Sequence, residues 1–108
     1  MKEDIEKLSP LTEATYYILL SLHEPKHGYG IIKDVESFSQ KRVVLAAGTL
    51  YGALNNLVKH KLIVPCGVDP ENSRRKIYQI TPLGLELLEY EIKRYEELAS
   101  NGRRFIDD

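Results

Sequence analysis

Apolar residues recur at helical spacing along most of the chain and give way once, between Ile63 and Ile80, to a short extended pattern. Ala14 to Leu22 is nearly all apolar, which predicts a buried helix, with Thr12 as its cap and Glu13 against the positive end of its dipole. Glu24-Pro25-Lys26-His27-Gly28 should break it. Ile31, Ile32, Val35 and Phe38 then place a second helix from Gly28 or Tyr29 to about Ser39, with Lys33 and Glu36 in water. After a connector from Gln40 to Leu45, a third helix is expected over Ala46 to Leu62. It should bury Leu50, Leu54, Leu57 and Val58 and turn Gly48, Gly52, Asn55, Asn56 and Lys59 outward.

Ile63 to Val68 and Arg74 to Ile80 flank the turn-rich segment Asp69 to Ser73, the pattern of a β-hairpin with Arg74, Arg75 and Lys76 near its tip. Thr81-Pro82 opens a last helix, which Asn101-Gly102 should stop near Ser100. Along it Leu85, Leu88, Ile92, Tyr95 and Ala99 alternate at spacings of three and four, an a/d seam, and Leu87, Tyr90 and Leu98 widen the apolar surface. So long a helix offers more apolar surface than one small core covers, and pairing with a second copy is the simplest remedy. The expected fold is mainly α with a small β-hairpin: a winged helix-turn-helix plus a C-terminal dimerisation helix. Residues 1–81 would form the DNA-binding part with its N-terminal helix and residues 82–108 the dimerisation helix, in one compact unit.

Charge sharpens this picture. The net charge of the 108 residues is −1, but residues 1–25 and 80–108 each carry −3 while residues 26–79 carry +5. A positive centre between acidic ends is a candidate phosphate footprint. The composition is that of an ordinary globular protein, and no apolar run approaches the roughly 20 residues of a membrane span. Met1 to Pro10 lacks the basic flank and apolar stretch of a secretory signal, so a cytoplasmic location is expected, without membrane contact. Cys66 stands alone and reads as a small residue on a strand rather than a redox sensor. His23 and His27 are separated by Pro25, which argues against a metal pair, and no metal or other cofactor is expected. No phosphate-binding glycine loop, nucleophile beside a base or paired carboxylates suggests an enzyme; Glu96 and Glu97, adjacent on one helix, point apart.

In a helix-turn-helix the second helix enters the major groove while the first crosses the backbone, which assigns those roles to Ala46 to Leu62 and Gly28 to Ser39. Thr49 and Asn55 could meet phosphate or base edges, Asn55 or Asn56 could pair bidentately with adenine, and Lys59 reaches toward phosphate. Singly these are ordinary surface groups; together they fall where one DNA-binding geometry needs them. The alternative is a winged-helix protein-interaction module, whose binding would ignore salt.

The stretches Leu11 to Leu19, His27-Gly28-Tyr29-Gly30-Ile31, Gly48-Thr49-Leu50-Tyr51-Gly52-Ala53-Leu54 and Arg74 to Gly84 resemble the PadR family of bacterial transcriptional regulators. The resemblance runs from about residue 8 to residue 100. It implies a homodimer, usually a repressor, that binds double-stranded DNA at an inverted-repeat operator and is released by a small-molecule or other effector. It also implies DNA contact at Tyr29, Thr49, Tyr51 and the basic wing; Lys33, a cation on the wet face of the second helix, is a further candidate by its charge. The single C-terminal helix resembles the compact members. Some of these hold flat aromatic drugs between tryptophans, a mode that a chain without Trp does not share. Tyr16, Tyr17, Tyr90 and Tyr95 read as core and dimer packing before they read as a ligand cavity.

Overall fold

The computed structural model describes residues 2–107. The chain runs through α1 (Lys2–Leu8), α2 (Glu13–Ser21), β1 (Lys26–His27), α3 (Gly28–Phe38), α4 (Ala47–Lys59), β2 (Ile63–Asp69), β3 (Asn72–Ile80) and α5 (Pro82–Ile106). The strands form one antiparallel sheet in the order β1-β3-β2. This is the winged helix-turn-helix with a long terminal helix that the apolar pattern predicts.

Thr12 accepts from the Thr15 N–H and Thr81 from the Gly84 N–H, so both apolar helices begin at the expected caps. Ile18, Leu19, Ile31, Val35, Leu50, Leu54, Leu57 and Leu87 meet in one core, and Val58 packs against it half-buried. Burial of each such side chain contributes about 1.5–3 kcal/mol, and this drives the assembly of α2, α3, α4 and α5. Gly84 seats α5 against the sheet. A Cβ there would stand 2.3 Å from the Leu62 carbonyl oxygen and 2.6 Å from Ile80 Cγ1, so no side chain fits.

Several boundaries differ from the sequence expectation. Helix α4 ends at Lys59 rather than Leu62, because the Lys61 N–H turns back to the Val58 carbonyl and the Leu62 N–H to that of Leu57. That double closure puts Lys61 in the left-handed region, at φ 62°. The hairpin turn shrinks to Pro70 and Glu71, since Asp69 already pairs with Asn72. Asn101-Gly102 does not stop α5, which continues to Ile106. Arg103 and Arg104 occupy its last turn, favourable at the negative end of a helix dipole, and Arg103 pairs with Asp107 at 3.2 Å. Two elements were not anticipated. Helix α1 packs on α5 through Ile5, and the two-residue strand β1 pairs with Tyr78 and Ile77.

One polar cluster joins the ends of the fold. Glu91, fully buried on α5, accepts from Ser9 Oγ at 2.7 Å, from the Leu11 N–H at 2.6 Å and from Arg94 Nε at 2.7 Å. Burial works against its ionisation, but the bonds from Arg94, Leu11 and Ser9 outweigh it and hold the carboxyl pKa at about 2. Every residue of α5 from Glu96 onward is exposed. The 25 residues span about 37 Å and overrun the body. A radius of gyration of 15.2 Å, against about 13 Å for a compact chain of this size, reflects that projection.

Candidate nucleic-acid interface

The geometry begins at Gly28. A Cβ there would lie 2.7 Å from the Tyr51 hydroxyl oxygen and 3.2 Å from Leu50 Cδ2, so the missing side chain lets Tyr51 rest on the first turn of α3. Tyr51 thus ties the two helices of the helix-turn-helix while remaining 47% exposed. His27 caps the same turn, its Nδ1 accepting from the Gly30 N–H at 3.2 Å. Lys26 and Ser21 hold Asp34 on the next turn. Burial alone would raise that carboxyl, but their hydrogen bonds prevail and keep its pKa below the usual range.

Tyr29, 54% exposed, is the centre of the cluster. Lys33 Nζ stands 5.1 Å from its ring centroid and Arg75 Cζ 5.8 Å, while the His27 ring stacks at 6.4 Å and 16°. Cation–aromatic contacts at exposed sites are worth about 0.5–1 kcal/mol each, enough to bias two flexible side chains toward one spot. The wing and α3 therefore present two positive charges together.

Thr49, Asn55, Asn56 and Lys59 are all exposed along α4, and a Cβ at Gly48 or Gly52 would meet nothing within 4 Å. The outer face of this helix is open, as expected. Arg74, Arg75 and Lys76 are all exposed on β3, but of the three it is Arg75 that stands over the Tyr29 ring, so the basic wing residues divide.

The seam on α5 divides too. Leu88 packs into the core of its own chain and is corrected from an interface residue to a core residue; it lies next to Leu87 and Glu91, at the centre of the buried face. Tyr95 packs edge-on against Tyr16 at 5.1 Å. Leu85 and Ile92 stay exposed beside Ala99, and Leu98, Phe105 and Ile106 extend the apolar surface beyond the body.

Tyr16, Tyr17 and Tyr95 line a cleft of about 340 Å³ with Leu11 and Glu13, whereas Tyr90 lies apart beside Lys93, Arg94 and Glu97. Burial raises the pKa of Tyr16 and of Tyr95. Glu13 is engaged by Arg42. Cys66 sits on β2 with an exposed thiol, not as a packed apolar residue. Among the described residues no group of three or more His, Cys, Asp or Glu could hold a metal, and no helix is long and apolar enough to cross a membrane.

Sequence reasoning missed Asp69 and the role of His27. Asp69 reads in sequence as an ordinary turn former, and His27 as part of a helix break. The residue order His27-Gly28-Tyr29 held little signal, since His is not among the usual cap residues and its role rests on the bond to the Gly30 N–H.

Residues 17–90 match the model of the transcriptional regulator PadR-like family. Among curated proteins none matches significantly. Among solved structures, a PadR family transcription regulator from Clostridium difficile R20291 superposes with a TM-score of 0.73 at 23% identity, covering 88% of this chain and 99% of that one. A PadR-like transcription factor from Bacteroides fragilis gives 0.70 at 25% identity, covering 96% and 94%. BpsR of Bordetella bronchiseptica, whose DNA binding is regulated by 6-hydroxynicotinic acid, gives 0.68 at 20% identity, covering 92% and 68%.

Proposed function

The chain belongs to the PadR-like family of transcriptional regulators, and on that premise we propose that it is a repressor that binds an inverted-repeat operator as a homodimer and is released by a small-molecule effector. The observation that carries the DNA-binding part is the gathering of Lys33 and Arg75 on the exposed ring of Tyr29, beside the open face of α4. Phosphate neutralised by that pair fixes the protein on the duplex, while Thr49, Asn55 and Asn56 reach base edges. Exposed apolar side chains along α5 support pairing of two copies. Two copies related by a twofold axis then match two half-sites about one helical turn apart. The tyrosine-lined cleft between α2 and α5 suits a flat aromatic effector, held by ring stacking with Glu13 and Arg42 at its rim. Separation into residues 1–81 for DNA and 82–108 for dimerisation is part of the same reading.

Removing the charge of Arg75 tests the wing. Arg75→Ala should weaken binding to every duplex about equally and reduce the slope of log K against log salt by roughly one unit, since one fewer phosphate charge is neutralised. Fluorescence anisotropy across a salt series reads both quantities. An unchanged slope would remove the wing from the interface.

A further inference from the structure

From Val64 to Lys76 every residue is exposed except Asp69. The least accessible side chain of a basic wing is therefore an acid, 14% exposed against 45% for Arg75. Its surroundings are built around it. Oδ1 accepts from the Glu71 N–H at 2.9 Å, which fixes the plane of the carboxylate within the turn. Oδ2 stands 3.7 Å from Arg75 Nη1 and 3.7 Å from His27 Nε2. Because His27 Nδ1 accepts from Gly30, the neutral ring carries its proton on Nε2, facing Asp69. A shift in strand register between Val68 and Asp69 accompanies this placement, the kind of irregularity that re-aims a side chain.

Resting on the DNA-binding reading above, we propose that Asp69 is a specificity-determining residue of the DNA interface, an internal stand-in for phosphate that occupies Arg75 until DNA replaces it. Arg75 cannot give its charge to a phosphate without loosening from Asp69, and the carboxylate it leaves then faces the duplex. Both effects penalise binding whose gain comes from phosphate contacts alone. Binding that adds base contacts through α4 absorbs the same penalty with affinity to spare, so Asp69 widens the gap between chosen and arbitrary sequences. The net interface charge also falls by one, which lowers the salt slope.

The test is Asp69→Asn, which keeps an oxygen for the Glu71 N–H and removes the charge. Affinity for a mixed-sequence duplex should rise about tenfold, with the salt slope steeper by roughly one unit. Affinity for the duplex recovered by selection from a random library should rise less, so the ratio between the two falls. In an Arg75→Ala background the same substitution should raise affinity by clearly less, because there is no Arg75 contact left to loosen and only the repulsion between the carboxylate and the duplex is removed. Unchanged mixed-sequence affinity and slope overturn the proposal, as does an effect that persists in full without Arg75. A role confined to holding the turn predicts weaker binding to both duplexes, with a lower melting temperature, and this too overturns it. If the unaltered protein retains no duplex at all, the DNA-binding reading falls with the proposal; if it binds and Asp69→Asn changes nothing, the proposal alone falls.

Discussion

Ile92→Glu should yield a folded monomer that has lost at least about a hundredfold in operator affinity. Ile92 is 38% exposed on the outer side of α5, one residue after the buried Glu91, with Leu85 and Ala99 at heptad spacing on the same side. A charge at this position costs the isolated chain little, because water already reaches it. In a dimer the same charge would be buried against its copy, at a cost of several kcal/mol without a partner. Each half-site then binds alone, and the gain from linking two modules disappears. Sedimentation equilibrium gives the oligomeric state, gel shifts give the affinity, and circular dichroism confirms that the helices persist. A dimer that survives the substitution would move the interface elsewhere. Leu88→Glu cannot serve here, since Leu88 is buried in its own chain and the change would unfold it.

The second large effect is on stability. Glu91→Ala strips the acceptor from Ser9, Leu11 and Arg94 at once, and should cost about 3 kcal/mol or more and lower Tm by more than about 10 °C. Its pH signature follows from the carboxyl pKa, lowered from 4.5 to about 2 by those same bonds. The folded value lies below the unfolded one. The fold thus favours the ionised form, and the contribution is complete above about pH 4.5 and lost as pH falls toward 2. It amounts to about 3 kcal/mol. Urea unfolding at about pH 7 and about pH 3 should show a smaller acid loss in Glu91→Gln than in the unaltered protein. Equal losses in the two would mean that Glu91 is not the group that titrates.

Long periodic elements were legible in the sequence, and short or charged ones were not. The stripes of α3 and α4 are visible because Ile31 and Val35, and Leu50, Leu54 and Leu57, repeat over several turns with polar residues between them. Strand β1 has two residues, too few for any period, and exists because β3 offers it an edge. Helix α1 is seven residues long and is held by a neighbour distant in sequence. Glu91 looked like one more polar residue on a charged helix, since burial of a carboxylate depends on Ser9 and Leu11, some eighty positions away. At the candidate interface, residue types and their elements were readable. The grouping of Tyr29, Lys33 and Arg75, and the acid beneath Arg75, depend on how the hairpin folds back beside α3.

Selection of bound duplexes from a random library, followed by mobility shifts with the recovered sequence, tests DNA reading by a dimeric winged helix most directly. The expected product is an inverted repeat with half-sites about one helical turn apart, shifted as a single complex of two chains per duplex. Enrichment of no inverted repeat, or equal retention of every duplex, would contradict it.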